Sequence, residues 1–215
     1  MYEEKTITLN DIFALKDKPM DKILQEPGYR NFSVLIPIAE IDSEPHLLFE
    51  LRSENLFTQP GEICFPGGRI ETSETPLAAA LRETYEELLV PQGSVEVIRE
   101  MPVMVTPFGT ILHTFLGRLE TLPDAPNPSE VSEYFTVPIR FFLENPPAEH
   151  GVHVQLSPAE GFPYHVIQNG SSYKWGKGSY PVYFYFYEGR VIWGMTAKLV
   201  HELVAQLVEN KHFPW

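Results

Sequence analysis

The chain has 215 residues and an apolar fraction of 43%, which is enough for the hydrophobic core of a single domain. Acidic residues outnumber basic ones by 29 to 16, so the formal net charge is −13. Proteins that hold nucleic acid through phosphate contacts are usually basic, so this charge argues against nucleic acid as a partner. It still allows an anionic small substrate, because bound cations can reverse the local field.

The expected location follows from features that the sequence lacks. A single cysteine, Cys64, excludes a disulfide framework within the chain. The N-terminus has no basic start followed by an apolar run, and no apolar run reaches about 20 residues, the length that spans a bilayer. We therefore expect a cytoplasmic protein that does not contact membranes, and the sequence leaves a homodimer open.

Residues 1–30 are mixed and polar and predict an N-terminal arm that packs on one domain, residues 31–215. Within the arm, Asn10 or Asp11 is a suitable cap for a short helix. The Pro27-Gly28 pair interrupts the pattern, so we expect the regular structure of the domain to begin after it.

The first strands of the domain are predicted between residues 32 and 65. Phe32–Ile41 is rich in Val, Leu and Ile and is typical of a buried strand, in which Pro37 indicates a sheet edge or a bulge. His46–Leu51 follows after a turn, so the two segments are expected to pair as a hairpin. Ile63–Phe65 then predicts a short strand that leads into a glycine turn.

The next element is a helix over residues 76–89. Thr75 is a good N-cap, and proline is well tolerated at the first helical position, where Pro76 stands. The residues that follow are good helix formers, and Pro91 ends the helix.

The rest of the chain predicts further strands, a proline-rich loop over residues 121–129 and two more helices. Helices before, between and after strands are typical of an α/β (α+β) fold with helices packed on a mixed central sheet. The predicted strands are Val95–Ile98, Gly109–Leu119, Ser132–Val137, a hairpin of His153–Leu156 with Tyr164–Gln168, and Val182–Tyr187, and the predicted helices are Ile139–Leu143 and Met195–Glu209.

Three carboxylates lie on one side of the central helix. With an advance of about 100° per residue, Glu83, Glu86 and Glu87 fall on one arc beside an apolar face. Carboxylates crowded in this way repel one another and destabilise a helix, and a bound cation removes that repulsion. Mg²⁺ and Mn²⁺ prefer such oxygen ligands. The apolar face consists of Leu77, Ala80, Leu81, Thr84 and Leu88.

An acidic helix face that is simply exposed to water is the alternative, because short acidic motifs are common. The residues around the helix favour the cation site. The glycine pair Gly67-Gly68 lets the backbone come close to a ligand, and Glu74 and Arg82 stand at fixed offsets from it.

The spacing of these residues resembles the Nudix box, which is a glycine, five residues, a glutamate, seven residues and then Arg-Glu-apolar-x-Glu-Glu-x-Gly-apolar. Two positions differ, because Thr84 replaces an aliphatic residue and Leu89 replaces the second glycine. The resemblance implies a Nudix-type α/β/α sandwich and hydrolysis of a diphosphate. The matching residues are Gly68, Glu74, Arg82, Glu83, Glu86, Glu87 and Val90.

A narrower resemblance, to the coenzyme A diphosphatase group of Nudix hydrolases, lies on both sides of the box. One position departs, because that group has a second arginine where this chain has Phe57. The resemblance implies cleavage of coenzyme A or an acyl-CoA into 3',5'-ADP and 4'-phosphopantetheine or its acyl form. The matching residues are Leu47-Leu48, Arg52-Ser53, Gly61, Phe65-Pro66-Gly67-Gly68 and Trp193-Gly194-Met195-Thr196-Ala197.

The resemblance to the Nudix box also implies roles for its residues. Glu83, Glu86 and Glu87, together with the Gly67 carbonyl, are the implied ligands of Mg²⁺ or Mn²⁺. Arg82 is expected to orient Glu83 or Glu86, and an ordinary surface pair of Arg82 with Glu86 is the alternative. Glu74 is expected to support this arrangement, so Glu74, Arg82 and Glu83 are the implied catalytic residues.

The general base and the substrate contacts are expected outside the acidic helix. Glu130 and Glu133 are both candidates for the base, and a surface carboxylate is the alternative for each. Arg52 is expected to bind a substrate phosphate or else to end a strand. Gly68 is expected to line the substrate site.

Three functions are open at this point. The first is hydrolysis of coenzyme A or its thioesters. The second is the same chemistry on ADP-ribose, NADH or another nucleoside diphosphate derivative, which Phe57 keeps open. The third is a non-catalytic ligand-binding module on the same fold, against which the retained Glu83, Glu86 and Glu87 argue.

Overall fold

The computed structural model describes residues 26–210, so the helix expected after Asn10 or Asp11 lies outside the described residues, with most of the predicted arm. In this part of the chain, eleven strands and three α-helices follow one another. The strands are β1 Arg30–Ile41, β2 Glu44–Arg52, β3 Ile63–Cys64, β4 Gly67–Arg69, β5 Val95–Glu100, β6 Met104–Val105, β7 Thr110–Leu119, β8 Val131–Pro138, β9 Ala148–Gln155, β10 Lys177–Tyr187 and β11 Arg190–Trp193. The helices are α1 Pro76–Leu88, α2 Ile139–Glu144 and α3 Gly194–Asn210.

β1 to β8 form one mixed sheet, which confirms the predicted central sheet. β1 lies in its middle, parallel to β7 on one side and antiparallel to β2 on the other. β5 and β6 pair with β7, and β8 runs along β2. The predicted hairpin of β1 and β2 has a tight turn, because Asp42 and Ser43 adopt the left-handed conformation (φ 51° and 64°) that such turns require.

β1 and β2 separate beyond their hairpin, and we call the opening between them the fork. The two strands pair directly only over the last four residues of β1. Inside the fork, β3 pairs with the end of β2 at Glu50↔Cys64, and β4 pairs with the start of β1 at Val34↔Gly67. The glycine turn is therefore fixed by both central strands.

Pro37 lies in a central strand, so the predicted sheet edge or bulge at this residue is wrong. On one side, β1 pairs with β7 without a break through Pro37. On the other side, β1 changes partner between Val34, which pairs with β4, and Ile38, which pairs with β2. The Leu35 N–H bonds to the Pro66 carbonyl on this side (3.0 Å). Since alternate residues direct their backbone groups to the same side, the missing N–H of Pro37 falls in the gap between the two partners.

The two faces of the main sheet bury separate cores. α1 packs on the face that carries Leu35 and Leu48, and α2 and α3 pack on the face that carries Ile36 and Phe49. This division follows from the alternation of side chains along each strand and confirms the α/β/α sandwich. Among the helices of residues 26–210, none has the length and apolar character to span a membrane.

A second, antiparallel sheet of β9, β10 and β11 packs against α3. The hairpin partner predicted for β9, Tyr164–Gln168, is wrong, because these residues include a 3₁₀ turn and β9 pairs with Lys177–Tyr187 instead. The ring of Phe162 packs on those of Tyr164 and Trp175 (centroids at 5.1 and 5.2 Å). The apolar alternation in this stretch therefore reflects a local aromatic cluster rather than a strand.

Candidate active site

The ends of α1 determine where its carboxylates stand. Thr75 accepts a hydrogen bond from the Ala78 N–H at 3.2 Å, and Pro76 is the first helical residue, as predicted. At the other end, Leu89 adopts the left-handed conformation (φ 58°) and donates its N–H to the Tyr85 carbonyl at 3.0 Å. A glycine usually provides this geometry. The helix therefore exits as the Nudix box expects, although a leucine stands at this position.

The carboxylates of α1 differ in their exposure. Glu86 is 46% exposed, Glu83 15% and Glu87 3%. Glu87 lies beside the buried residues Thr84 and Leu88, on the helix side that packs against the sheet. The acidic arc thus runs from solvent into the interior, which a simply solvated acidic face would not do.

The glycine turn lies directly against two of these carboxylates. The Gly67 N–H donates to Glu87 Oε2 at 2.8 Å. A Cβ atom on Gly68 would collide with the carboxylate of Glu83, and one on Gly67 would collide with the backbone of β1. The fork therefore brings main chain against α1 with no room for a side chain at either position.

Arg82 joins the more exposed carboxylates into what we call the outer cluster. Its Nε and Nη2 donate to the two oxygens of Glu74 at 2.9 and 3.0 Å. Its Nη1 donates to Glu83 at 2.8 Å and to Glu86 at 3.0 Å. Hydrogen bonding to Glu74 raises the pKa of Arg82, and the same contact lowers the pKa of Glu74. The outer cluster consists of Glu74, Arg82, Glu83 and Glu86.

A second group of polar side chains lies deeper and includes Glu50, which our sequence reasoning missed. Glu50 is fully buried in β2, and its Oε1 accepts a hydrogen bond from the Cys64 thiol at 3.1 Å. Arg52 Nη1 lies 3.6 Å from Glu87 Oε1. Glu50 Oε2 and Arg52 Nε are buried without a hydrogen-bond partner among the described residues. We call Glu50, Arg52, Cys64 and Glu87 the inner cluster.

One sequence signal could have revealed Glu50. Side chains of β2 alternate between the two faces of the sheet, and Leu48 faces α1. Glu50 is two residues further along the strand, so it faces α1 as well. A carboxylate on the inward face of a strand, just before the Arg52 of the signature, is rare unless it has a partner.

Burial and like charge shift the pKa values of the inner carboxylates upward. Burial raises the pKa of Glu50 to about 7, although the Cys64 thiol and Arg52 act to lower it. Burial, followed by the negative charge of Glu50, raises the pKa of Glu87 to about 9. Burial also raises the pKa of the Cys64 thiol, which therefore stays protonated and donates to Glu50. The inner cluster thus retains protons at neutral pH when no cation is bound.

The loop before β8 is anchored on the last turn of α1. The Asn127 N–H donates to the Glu87 carbonyl at 2.8 Å, and its side-chain amide donates to the Glu86 carbonyl at 3.0 Å. These bonds satisfy two carbonyl groups that a helix end leaves open. The loop is therefore held beside the acidic residues at the end of α1.

This anchoring separates the two candidate bases. Glu130 follows the anchor, and its Oε1 lies 3.5 Å from the side-chain amide of Asn127, the same amide that donates to Glu86 at the end of α1. Glu133 forms an ion pair with Arg190 of β11 at 3.0 Å. Its position along β8 directs it to the face of the sheet opposite α1.

The donor set suits a hard divalent cation, although the carboxylates do not yet surround one. Among the described residues, no three His, Cys, Asp or Glu side chains converge closely enough to hold a metal ion. Arg82 Nη1 contacts one oxygen each of Glu83 and Glu86, and Arg52 lies beside one oxygen of Glu87. The buried, unpartnered oxygen of Glu50 and the excess of carboxylates over guanidinium groups both favour a cation here. The carboxylates are Glu50, Glu74, Glu83, Glu86, Glu87 and Glu130.

Comparison with known proteins identifies the family. The model of the NUDIX domain matches residues 30–156. The chain belongs to the Nudix hydrolase family. The Nudix hydrolase NudL of Shigella flexneri is 30% identical over 208 residues, which cover 95% of this chain and 97% of that protein. NudL of Photorhabdus laumondii is 31% identical over 209 residues, which cover 94% and 98%.

Solved structures of Nudix hydrolases also align with the chain. The Nudix hydrolase RenU of M. smegmatis superposes with a TM-score of 0.46 and 22% identity, covering 54% of this chain and 75% of that one. Membership of the family makes this protein a hydrolase that acts on a diphosphate substrate. Nudix hydrolases generally use divalent metal ions, which agrees with the donor set of the two clusters.

Proposed function

We propose that this Nudix hydrolase cleaves the diphosphate of coenzyme A or an acyl-CoA, with Mg²⁺ or Mn²⁺, into 3',5'-ADP and 4'-phosphopantetheine or its acyl form. The observation that carries the chemistry is the contact between the glycine turn and α1. Gly67 donates to Glu87, and Gly68 lies against the carboxylate of Glu83. The narrower choice of substrate rests on the resemblance of the residues on both sides of the box.

We assign Glu83, Glu86 and Glu87 to the metal, together with the Gly67 carbonyl. When bound, divalent cations neutralise diphosphate oxygens and lower the pKa of a bound water. The different exposures of the three glutamates support this assignment, because they place ligands along the path from solvent to the interior.

Arg82 and Glu74 position the ligands. The guanidinium of Arg82 fixes Glu83 and Glu86 through charge-assisted hydrogen bonds, and the two bonds to Glu74 fix the guanidinium from its other side. Partners of this kind orient metal ligands and strongly affect metal affinity.

We assign the proton transfer to Glu130 rather than Glu133, because Glu130 lies on the loop that Asn127 holds at the end of α1, whereas Glu133 is paired with Arg190. Water attacks one phosphorus, its proton passes to Glu130, and the bond from that phosphorus to the bridging oxygen breaks. Arg52 binds a phosphate of the substrate, and Gly68 lines the place where it lies.

Phe57 supports a second candidate, the same chemistry on ADP-ribose, NADH or another nucleoside diphosphate derivative. Its ring is fully exposed in the loop after β2. An exposed ring can stack on a base, yet it offers no charge to a phosphate. Coenzyme A carries one phosphate more than ADP-ribose or NADH. The absence of the arginine therefore weakens the binding of coenzyme A more than the binding of these alternatives.

A substrate panel tests the proposal. The purified protein, with Mg²⁺ or Mn²⁺, is incubated with coenzyme A, acetyl-CoA, ADP-ribose and NADH, and the products are separated by chromatography. We expect the highest kcat/KM for coenzyme A or its thioester. Fast cleavage of ADP-ribose without turnover of coenzyme A would overturn the first candidate and favour the second.

A variant that introduces an arginine at position 57 extends the substrate panel. Phe57→Arg should raise kcat/KM for coenzyme A by about tenfold, the effect of one added charge-assisted contact. The same change should leave ADP-ribose cleavage within about twofold. An equal gain in kcat/KM on both substrates would mean that residue 57 does not contact the additional phosphate of coenzyme A.

A further inference from the structure

The carboxylate of Glu50 has an unusual environment. It is fully buried, yet only one of its oxygens has a hydrogen-bond partner among the described residues. That partner is the Cys64 thiol at 3.1 Å, which is a weak donor. A buried polar atom without a partner is unfavourable, so Glu50 Oε2 requires a partner in another state of the protein.

The position of Glu50 in the fork indicates where that partner binds. Glu50 pairs across the sheet with Cys64. Gly67 follows Cys64 by three residues, and its N–H donates to the Glu87 carboxylate. Arg52 is two residues further along β2, and its Nη1 lies 3.6 Å from Glu87 Oε1. Glu50 and Glu87 therefore belong to one group of side chains between β2 and α1, where a single cation can meet both.

We propose that Glu50 is a further ligand of the divalent cation, which it reaches through Oε2. This inference rests on the proposed function, because it presupposes that Glu87 binds the cation. The cation supplies the partner that Oε2 lacks and relieves the repulsion between Glu50 and Glu87. Cys64 holds the other oxygen and so orients the carboxylate from behind, as outer partners of metal ligands commonly do.

Arg52 provides a competing explanation that an experiment can separate. Its Nε is also buried without a partner in the described part of the chain, and it lies two residues from Glu50 on β2. If Glu50 served only as a counter-ion for Arg52, loss of its charge would weaken phosphate binding and leave cation binding unchanged. Cation affinity of the free protein therefore distinguishes a ligand from a counter-ion.

The test is a titration of the full-length protein with Mn²⁺, followed by the electron paramagnetic resonance signal of free Mn²⁺ without any substrate. Glu50→Gln removes the charge, keeps the size of the side chain and still accepts from Cys64. We expect Mn²⁺ affinity to fall by about 10- to 100-fold. The matched control is Glu96→Gln, which removes an exposed carboxylate on β5 and should bind as the wild type does.

The outcomes separate this inference from the proposed function. Wild-type affinity in Glu50→Gln, with reduced affinity in Glu87→Gln, would overturn the role of Glu50 alone. Unchanged affinity in Glu87→Gln would overturn the assigned metal site, and the role of Glu50 with it. Thermal unfolding checks that each variant is folded. If Glu50→Gln does not fold, Glu50→Asp keeps the charge and shortens the reach, and wild-type affinity in that variant would overturn the inference.

Discussion

The outer and inner clusters, which we propose bind one cation, differ in how their carboxylates are paired before that cation binds. In the outer cluster, Arg82 gives every carboxylate a hydrogen bond before any cation binds. In the inner cluster, Arg52 stands 3.6 Å from Glu87, and Glu50 Oε2 has no partner among the described residues. The outer cluster is therefore already satisfied, while the inner cluster gains most from a cation. Burial, rather than the number of charges, creates this difference.

The largest effect that follows from this comparison is expected from Glu87→Gln. The variant removes a proposed metal ligand, so kcat should fall by roughly 100- to 1000-fold. Without metal, the same variant should melt at a higher temperature at neutral pH, because the folded protein no longer has to protonate a buried carboxylate. Assays with Mg²⁺ and melting curves measure both effects. If Glu87→Gln lost less kcat than Glu86→Gln, which changes the exposed carboxylate, the comparison of buried with exposed ligands would be contradicted.

Gly68→Ala tests how closely the fork must approach the outer cluster. The added Cβ would collide with the carboxylate of Glu83 and displace it. A shift of about 1 Å in a catalytic group can cost roughly 100-fold in rate, and we expect a loss of that order in kcat. Gly93→Ala is the matched control, because its Cβ meets open space. Equal activity of both variants would show that Glu83 can move without harm.

The pH dependence of stability should differ in sign between the inner carboxylates and Glu74. The raised pKa values of Glu50, about 7, and Glu87, about 9, mean that the folded protein binds protons more tightly than the unfolded chain, whose glutamates titrate near 4.5. Their contribution is complete below pH 4.5 and is lost as the pH rises through 7 towards 9. The lowered pKa of Glu74 acts in the opposite sense, so its contribution is lost on acidification.

We therefore expect the melting temperature of the metal-free protein to fall between about pH 5 and pH 9, and to fall less in Glu50→Gln. Added Mg²⁺ should raise it most at high pH, because cations compete with protons for the same oxygens. Scanning calorimetry across this range measures both trends. Parallel curves for wild type and Glu50→Gln would contradict the raised pKa of Glu50.

The smallest effect is expected at Leu89, which belongs to neither the outer nor the inner cluster. Its left-handed backbone is strained for a residue with a Cβ atom, so Leu89→Gly should stabilise the protein by up to about 1 kcal/mol. Urea unfolding measures this change, and Leu89→Ala, which keeps the strain, is the control. Greater stability in the alanine variant would show that the side chain, and not the backbone, determines the effect.

The sequence predicted the outer cluster better than the inner one, for a physical reason. The outer cluster depends on local signals, namely Thr75, Pro76 and the spacing of the carboxylates on α1. All of them lie within the sequence of one helix and its cap. The alternation of side chains in β2 directs Glu50 towards α1, yet its place in the inner cluster depends on how β2, β3 and α1 pack together. The same reason explains Pro37, whose tolerance depends on a change of partner strand that lies outside its own segment.

The long-range pairing of the fork has a consequence for how the protein is made. α1 can form soon after it leaves the ribosome, because its bonds are local. The glycine turn needs β1 and β2, β1 needs β7 to complete its sheet, and Glu130 is translated later still. A nascent chain that ends before β8 therefore carries the acidic helix without the enclosed site. Under the metal assignment that we propose, cation binding therefore requires the finished domain.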